Sequence, residues 1–451
     1  MQRFVVKKNS LFLWCKKHKT MNFKPMTKIE KISKNITPFA GVFYAHKEYN
    51  RSGLCELIDN HLGNRNSTKG YSYGNLFGNF FSLFLSGGEC TEDIQTHLRP
   101  TLEQIPGNSV ASADTHLRCF KELATENTTV ISSGKKEYQF NINEKLNDLN
   151  IKSLLHTKQL KKGKFYDFDY DNQIIAHEKY DAKRTYKMNT GYFPGVATIA
   201  EKIVYIENRD GNANVKTAQH ETLERAYKLL RKNKIKINRS RMDAGSYSEE
   251  IVKVVAKYSK LFYIRANKCE SLMDKIRQIT DWETVEINYI QYEVVSIAFT
   301  NFLPERNYRL VVMREKSKDT QLDLFEGEKF NYRCILTNDH QNTEKEIIEY
   351  YNQRGASEKT FDIQNNDFGW KHLPTSDMNA NTVYLIMTAM LKNFYNYIIT
   401  KVSEVFTDIL PTSRIKRFIF RFIAVPGRYV YRGRQWILQL YTNRPYEKMF
   451  G

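Results

Sequence analysis

The chain has 451 residues, more than one hydrophobic core usually serves, so its length predicts two or three domains. Hydrophobic residues make up 41% of it and charged residues 26%, a balance that excludes general disorder. Its formal net charge of +19 favours a polyphosphate partner, with an acidic membrane surface as the second choice. The six cysteines stand singly, without the close pairs of zinc sites or disulfide frameworks, so a reducing, cytoplasmic location is expected.

The first third of the chain is predicted to be helical. Residues 1–36 form a basic N-terminal extension with little patterning. Residues 37–150 form a helical region, in which Leu54–Leu62 and Leu76–Leu85 have the apolar spacing of helices. The stretch 126–163, which overlaps the end of that region, is polar and rich in Lys, Asn and Ser. We interpret it as a linker with at most a short helix.

From residue 160 onward the pattern changes to alternating strands and helices. Residues 160–281 alternate in this way, which predicts the first part of an α/β core. Residues 282–337 have strand patterns with no helix between them, which predicts a β-rich insertion. Helical patterns return over residues 338–410, the remainder of the core. Residues 411–451 form a basic tail that also contains aromatic residues.

Two helix starts are predicted from the spacing of capping boxes. Ser246 stands three residues before Glu249, and Thr343 stands three residues before Glu346. In each pair the first side chain would accept from a backbone N–H, and the second would reach back to the N–H of the first residue. The two helices are therefore expected to begin just after Ser246 and Thr343.

Acidic side chains alternate along one predicted strand, in the segment Phe165–Asp171. Because neighbouring side chains of a strand point to opposite faces, Asp167, Asp169 and Asp171 are expected to share one face. Like charges at such spacing repel, and a bound cation would remove that cost. The alternative interpretation is an edge strand that its acids protect against aggregation. We favour metal binding for this segment.

Two other acidic residues stand at positions suited to the same site. Asp243 follows a strand-like run and precedes Gly245, at a strand-to-helix junction of the kind where open α/β sheets have their sites. Tyr351, Arg354 and Glu358 are spaced to share one face of a helix, where Arg354 would hold a phosphate and Glu358 a metal ion. The alternatives are an ordinary turn aspartate and a surface ion pair.

Together these acids match the needs of phosphodiester cleavage. In that reaction a water or a 3′-hydroxyl attacks in line with the leaving oxygen, and two metal ions activate the one and stabilise the other. Mg²⁺ prefers carboxylate oxygens, water and phosphate as ligands, and Mn²⁺ accepts the same set. Carboxylates from two strands and a helix would supply those ligands. In a strongly basic chain, this pattern favours an enzyme that cuts and joins DNA.

The basic tail is a candidate surface for DNA. Arg414, Arg417 and Arg421 are the predicted phosphate contacts, and Tyr431 and Trp436 stand among the basic residues as candidates for stacking. The alternative is a basic amphipathic helix that packs on the core and leaves its charges in water. Direct phosphate contact predicts DNA binding that weakens steeply with salt.

At these residues the chain resembles the DDE-type transposases of bacterial insertion sequences. More narrowly, it resembles the branch whose third acidic residue lies in a Tyr-x2-Arg-x3-Glu-x6-Lys signature, which Tyr351, Arg354 and Glu358 match. The residue at the position of the final lysine is an asparagine here. The resemblance therefore leaves the DNA contact of that position to Lys359 or Lys371, beside the contacts implied for Tyr351 and Arg354.

Two further segments resemble acidic blocks of a subgroup common in Bacteroidetes-type genomes. Asp169–Gln173 resembles the first block, and Arg241–Gly245 resembles the second. In that family the first acid is often followed by two small polar residues, as Asp171 is here. Asp171 is therefore preferred as the first catalytic acid, and Asp169 stays open as the alternative.

The resemblance implies a fold and a set of ligands. The fold is α/β: a ribonuclease-H-like catalytic core with a β-rich insertion, preceded by a helical N-terminal domain for DNA binding and dimerisation. The catalytic and metal-binding acids would be Asp169 or Asp171, together with Asp243 and Glu358. The cofactor would be Mg²⁺, with Mn²⁺ as a substitute.

The activity implied is transposition. Such an enzyme binds the terminal inverted repeats of its element, cleaves a strand and joins the exposed 3′-hydroxyl to target DNA. Double-stranded DNA is thus the expected partner, a homodimer the expected active complex, and the bacterial nucleoid the expected location of the DNA-bound protein. Two rivals stay open: a ribonuclease-H-like nuclease without strand transfer, and an inactive derivative that only binds DNA.

Overall fold

An eleven-stranded mixed sheet lies at the centre of this computed structural model, which describes residues 35–65, 70–316 and 330–450. The large sheet with helices packed on it confirms the predicted α/β class. From Thr37 onward the chain clusters into one compact unit. The predicted basic extension, residues 1–36, lies outside the described residues except for its last two.

Among the described residues, five α-helices and the short π-helix Ile94–Leu98 precede the first strand. The α-helices are α1 (Val42–Arg51), α2 (Leu54–Leu62), α3 (Tyr73–Leu85), α4 (Arg99–Leu102) and α5 (Ala113–Glu122). Serine side chains start two of them, because Ser72 accepts from the backbone N–H of Asn75 and Ser112 accepts from that of Thr115. Most side chains of α3 are buried on all sides, as expected of a helix enclosed by others.

Residues 126–163 are not the predicted linker. They form a hairpin of β1 (Asn127–Ile131) and β2 (Glu137–Asn141), followed by α6 (Glu144–His156). The polar composition was misleading because these polar groups bond inside the fold. The Asn147 side chain of α6 donates to the carbonyl of Ile206 and accepts from its N–H, both at 2.8 Å. A polar helix thereby docks on the sheet without leaving backbone groups unsatisfied.

The α/β region contains strands of the large sheet and three short strands that form a small sheet of their own. In chain order they are β3 (Phe165–Asn172), the short β4 (Ile175–Ala176), β5 (Lys183–Arg184) and β6 (Thr190–Tyr192), then β7 (Gly195–Ile199), β8 (Lys202–Arg209), β9 (Lys236–Met242) and β10 (Ser259–Arg265). The helices that connect β8 to β9 and β9 to β10 are α7 (Gln219–Lys232) and α8 (Glu249–Tyr258).

β3 pairs antiparallel with β7 and parallel with β9, and β9 pairs parallel with β10. The carboxyl ends of β3, β9 and β10 therefore lie at one edge of the sheet, where open α/β sheets have their sites.

Four further strands extend the same sheet beyond β10. After α9 (Glu270–Arg277) they are β11 (Glu283–Ile287), β12 (Ile290–Phe299), β13 (Tyr308–Lys316) and β14 (Phe330–Thr337). They pair antiparallel in succession, and β14 also pairs with β10. The sheet order is therefore β1-β2-β8-β7-β3-β9-β10-β14-β13-β12-β11. The four described strands between residues 282 and 337 are therefore continuous with the α/β sheet.

The chain returns to helix after β14. The elements are α10 (Glu344–Asn352), α11 (Ala356–Asp367), α12 (Met378–Ser403), α13 (Ile415–Phe418), the hairpin of β15 (Gly427–Arg432) and β16 (Gln435–Leu440), and α14 (Glu447–Phe450). α12 is buried over most of its 26 residues and shares one hydrophobic core with α1, α3 and the segment 415–425. Apolar burial therefore holds the N-terminal helices against the C-terminal part of the chain. In the described part of the chain, no helix has both the length and the apolar character needed to cross a bilayer.

One of the two predicted capping boxes is wrong. Thr343 and Glu346 form the predicted box at the start of α10. α8, however, is capped by Ser248, which accepts from the N–H of Ile251, and Ser246 lies in the preceding turn. A second serine two residues nearer to the helix therefore takes the capping role that spacing alone assigned to Ser246.

We expect a buried histidine to make the fold sensitive to acid. His116 of α5 is buried, and burial lowers its pKa to about 4. In the unfolded chain this histidine takes up a proton near pH 6.5. The stability that neutral His116 contributes is therefore complete above that pH and is lost as the pH falls toward 4. Between pH 7 and 5 the loss attributable to His116 should be about 2 kcal/mol. Urea unfolding at both pH values, on the wild type and on His116→Gln, measures it.

The exposed His97 provides the matched control for this prediction. His97→Gln should lose as much stability between pH 7 and 5 as the wild type, whereas His116→Gln should lose less. Equal losses in all three proteins would contradict the assignment of acid sensitivity to His116.

Candidate active site

Two aspartates of β3 are paired with arginines of the neighbouring strand. In the parallel register Asp167 lies beside Arg239, and Asp169 lies beside Arg241. The Arg241 guanidinium donates two hydrogen bonds to Asp169, each 2.7 Å long, and both side chains are buried. Arg239 donates from Nε to Asp167 at 3.0 Å. These cross-strand pairs offset the like-charge repulsion along β3 without a metal ion.

β3 is an interior strand, which excludes one interpretation of its acids. It pairs with β7 on one side and with β9 on the other. The alternative of an edge strand protected by acids is therefore wrong. Asp167 and Asp169 are instead held by the guanidinium groups of β9.

Tyr350 of α10 covers both guanidinium groups of β9. Its ring centre lies 3.8 Å from Cζ of Arg239 and 4.6 Å from Cζ of Arg241. Arg241 also donates to the Tyr350 carbonyl at 2.8 Å. Cation–π attraction and this hydrogen bond therefore fix α10 on the sheet beside the carboxyl end of β3.

The alternation of aspartate and arginine stops at the carboxyl end of β3. β9 ends at Met242, so continuing the register by one position brings Asp171 beside Asp243. The Asp243 carboxylate contributes to the raised pKa of Asp171, so two carboxylates are neighbours where the preceding pairs have a carboxylate and a guanidinium. The cation at this position comes from outside the sheet, since Arg354 donates to Asp171 at 2.9 Å.

The electrostatic environment of Asp171 links the three acids. Burial raises the pKa of Asp171 to about 6, although the Arg354 guanidinium opposes the rise. The carboxylates of Asp243 and Glu358 raise it further. Negative charge therefore accumulates at the carboxyl ends of β3 and β9 and at the start of α11.

Tyr351, Arg354 and Glu358 do not share one face of a single helix, as their spacing predicted. α10 and α11 are separated by a 3-10 turn over Gln353–Gly355. The low helix propensity of the glycine in that turn favours such a break. Tyr351 therefore projects from α10, Arg354 from the turn and Glu358 from the first turn of α11.

The three signature residues make different contacts. The Tyr351 hydroxyl donates to the carbonyl of Met242 at 3.1 Å, and burial raises the pKa of Tyr351 to about 12. Tyr351 thus ties α10 to the last residue of β9 as a neutral donor. Arg354 contacts Asp171, and Glu358 is exposed.

The predicted DNA-binding arginines of the tail contact acceptors of the protein itself. Arg414 donates to two aspartates of α11, at 2.7 and 2.8 Å. Arg417 donates to the carbonyl of Asp408 at 3.1 Å, and Arg421 lies 3.7 Å from the Asp408 carboxylate. These contacts offset part of the positive charge that the tail would offer to DNA.

Lys359 and Lys371, the two candidates for the missing lysine of the signature, lie in different surroundings. Lys359 is exposed on α11 next to Glu358 and lines a cavity of about 780 Å³. Lys371 follows the end of α11 and donates to the side chain of Asn366 at 2.6 Å. Of the two, Lys359 is the one that adjoins the third acid.

The donor chemistry of Asp171, Asp243 and Glu358 fits a divalent hard cation. The three offer carboxylate oxygens, which Mg²⁺ and Mn²⁺ bind in preference to softer donors. Burial and neighbouring carboxylates raise the pKa of Asp171, so a cation there would relieve both costs. Among the described residues, no three His, Cys, Asp or Glu side chains converge closely enough to hold a metal ion. For Glu358 to join the two aspartates as a ligand, its exposed side chain would have to turn toward them.

Sequence reasoning missed Arg239 and Arg241 as partners of the acids. The sequence feature that could have revealed these pairs is a shared period. The aspartates and the arginines each recur at every second residue of a predicted strand. Two parallel neighbours with the same period of two bring opposite charges side by side on one face. Comparing the periods of two predicted strands would have found the pairs.

Comparisons with known proteins place the chain in a family. A family model described as transposase DDE domain group 1 matches residues 20–451, which confirms the resemblance to DDE-type transposases. Among solved structures, the chain is similar to one described as the cryo-EM structure of the piggyBac transposase synaptic complex with hairpin DNA. The identity is 11%, the TM-score is 0.42, and the match covers 85% of this chain and 79% of that chain. No sequence of a curated protein matches the chain.

Loss of Arg241 should destabilise the fold more than loss of an exposed arginine. Arg241→Met leaves Asp169 buried without its cation, which should cost about 3–5 kcal/mol of unfolding free energy. Arg333→Met, the control, breaks an exposed pair with Glu315 and should cost about 0–1 kcal/mol. Urea unfolding followed by circular dichroism measures both.

A double variant separates the charge from the packing. Asp169→Asn in the Arg241→Met background removes the unpaired buried charge and should recover part of the lost stability. A double variant no more stable than Arg241→Met alone would assign the loss to packing against Tyr350 and would contradict the electrostatic account.

Proposed function

The chain belongs to the transposase DDE domain family, and from that premise we propose that it binds the terminal inverted repeats of an insertion sequence and catalyses metal-dependent cleavage and transfer of DNA strands. The observation that carries this proposal is the pair Asp171 and Asp243, where the alternation of aspartate and arginine stops and two carboxylates come together. A fold has no structural need to place like charges there, and a divalent cation bound to a phosphate would neutralise them.

We propose that the core is ribonuclease-H-like. The support is the order β8-β7-β3-β9-β10, in which an antiparallel meander leads into two parallel strands. One acid ends the central strand of this set, and the second follows the parallel neighbour. The β-rich residues 282–337 separate that second acid from the third. By this assignment residues 160–281 and 338–410 form the catalytic core.

We assign the metal ions to Asp171, Asp243 and Glu358. When bound there, Mg²⁺ or Mn²⁺ supplies Lewis-acid activation of the attacking oxygen and stabilises charge on the leaving oxygen. Arg354 holds the Asp171 carboxylate in place and offsets its charge. Tyr351 fixes the end of α10 against β9, so that Arg354 reaches Asp171 and Glu358 would turn toward the aspartates from the same side.

Asp171, and not Asp169, is the first catalytic acid in this proposal. Both carboxylate oxygens of Asp169 already accept from Arg241, at 2.7 Å each. Asp171 accepts from Arg354 on one oxygen and from the N–H of Asn172 on the other, and its pKa is raised. Lys359, next to Glu358, is the preferred phosphate contact among the predicted lysines.

The same proposal covers the partners. Of the predicted region 37–150, the helices α1 to α5, which precede the β1–β2 hairpin, would read the terminal repeats, and double-stranded target DNA would enter at the acids. Two ends are cut in one event of transposition, so a homodimer is the proposed active complex. A strand-transfer assay that detects joined products distinguishes this enzyme from a nuclease that only cuts.

Substituting the acids should abolish cleavage and leave DNA binding intact. Asp171→Asn, Asp243→Asn and Glu358→Gln should each lower the cleavage rate by at least about 10²–10³-fold, because each removes a carboxylate from the site of developing charge. The substrate is duplex DNA from the flanks of the gene, incubated with Mg²⁺, Mn²⁺, Ca²⁺ or EDTA. Gel analysis of nicked and joined products measures the rate.

Asp167→Asn and Asp169→Asn are the matched controls, since they lie on the same face of the same strand. Both should retain cleavage once the rate is corrected for the folded fraction. Cleavage by Asp171→Asn at the wild-type rate would remove Asp171 from the site. Binding without cleavage in every metal, equal for the wild type and Glu358→Gln, would identify a DNA-binding protein without catalysis.

Divalent metal should stabilise the folded protein through the same acids. A ligand at 100 times its Kd raises the unfolding free energy by about 2.7 kcal/mol, so Mn²⁺ should raise the midpoint of thermal unfolding. Asp243→Asn should show a smaller rise, and Asp167→Asn should show the rise of the wild type. An equal Mn²⁺ effect in Asp243→Asn would place the metal elsewhere.

A further inference from the structure

A basic cleft lies at the end of the sheet opposite the acids. Its volume is about 880 Å³, and none of its lining side chains is acidic. The cationic members of the lining, which define the amino-end cleft, are Lys162, Arg231, Lys234, Lys236, Lys257 and Lys260. The cleft surrounds the first residues of β3, β9 and β10. Phe165 lines the cleft, and Asp171 follows it six residues later on β3. At about 3.3 Å per residue, the two residues are about 20 Å apart.

The cations of the amino-end cleft differ from those near the acids in their partners. Near the acids, Arg239, Arg241 and Arg354 each contact an aspartate. In the cleft, Lys257 lies 3.0 Å from Glu224, and the described residues provide no carboxylate partner for the other five cations. The amino-end cleft is therefore a concentration of uncompensated positive charge.

Phe165 holds two of these cations together. Phe165 is nearly half exposed, and the ammonium groups of Lys260 and Lys236 lie 3.8 and 5.2 Å from the centre of its ring. Cation–π attraction offsets part of the repulsion between the two lysines. Because the lysines cover the ring, the arrangement favours a phosphate that bridges them over a base that stacks on the ring.

Helix dipoles account for only part of this charge. Arg231 lies in the last turn of α7 and Lys257 in the last turn of α8, where cations are favourable. Lys236 and Lys260, however, lie on strands, and Lys162 lies in the turn before β3. These three lysines lie outside the helices, and an external anion would offset the positive charge that they add to the cleft.

We propose that the amino-end cleft binds the phosphodiester backbone of duplex DNA about 20 Å from the bond that is cut. This inference rests on the proposed function, which requires the protein to hold more DNA than the scissile phosphate alone. The closely spaced phosphates of a duplex match a row of cations at the ends of three neighbouring strands. The DNA there is either a distal part of the element end or the target, and both offer the same backbone chemistry.

The test compares two paired charge reversals. Lys236→Glu/Lys260→Glu inverts the centre of the amino-end cleft, and Lys135→Glu/Lys136→Glu inverts two exposed lysines in the turn between β1 and β2. Fluorescence anisotropy with a labelled duplex from the flanks of the gene gives the affinity over a series of KCl concentrations. Circular dichroism melting shows that each variant is folded, and Lys236→Gln/Lys260→Gln is the milder form if the reversal is not.

The cleft variant should bind DNA at least about 10-fold more weakly at low salt. Each lost phosphate contact should reduce the slope of log K against log salt by about 0.9, so the pair should reduce it by about 2. The turn variant should keep the wild-type affinity to within about twofold. Cleft and turn variants with equal affinities and equal slopes would overturn the proposal.

Two further arms separate the sources of the DNA. If the cleft variant, at a protein concentration that saturates the element ends, cleaves them normally but transfers them poorly to a target plasmid, the cleft holds target DNA. If it fails first in binding the ends, the cleft holds a distal part of the element. The binding arm does not depend on catalysis, so a wild-type protein that cuts nothing would refute the proposed function and still decide the role of the cleft.

Discussion

The pairing of carboxylates and guanidinium groups between β3 and β9 is the constraint on which the site depends. Two successive pairs, Asp167 with Arg239 and Asp169 with Arg241, allow an interior strand to hold several acids on one face. Once those pairs exist, Asp171 is the acid of β3 that no residue of β9 neutralises. The same guanidinium groups bind Tyr350 and so decide where α10 lies. The ion pairs between two neighbouring strands thus help to position a helix that is more than 100 residues away in the sequence.

β13 and β14 support α10 from its other side. Ile347 and Ile348 of α10 are buried in a small core with Val311 of β13 and Ile335 of β14. α10 is therefore held between the arginines of β9 and the apolar face of the added strands. The turn that follows it carries Arg354, and the next helix carries Glu358. These strands contribute none of the candidate acids, yet they help to set the position of the third.

The sequence patterns correctly predicted features that depend on residues close together in the chain. The α/β class follows from strand and helix periods, and the Thr343 box follows from a spacing of three residues. The break between α10 and α11 could not be predicted, because a glycine lowers helix propensity without deciding where the next helix begins. The linker interpretation of residues 126–163 failed because Asn147 satisfies the backbone of Ile206, a partner 59 residues away. Contacts between residues so far apart in the sequence depend on packing. The periodicity of a single segment carries no information about that packing.

The continuity of the sheet has a consequence for the integrity of the core. The far side of β10 is bonded to β14, so the strands after residue 282 cover a row of N–H and C=O groups that would otherwise face water. A core stripped of these strands would present a buried, apolar strand as an edge and would tend to pair with other copies of itself. The outermost strand, β11, is by contrast largely exposed and carries Glu283 and Glu286. With the added strands, the edge of the sheet is a charged strand and not an apolar strand prone to intermolecular pairing. These strands therefore guard against aggregation and also hold α10 in place.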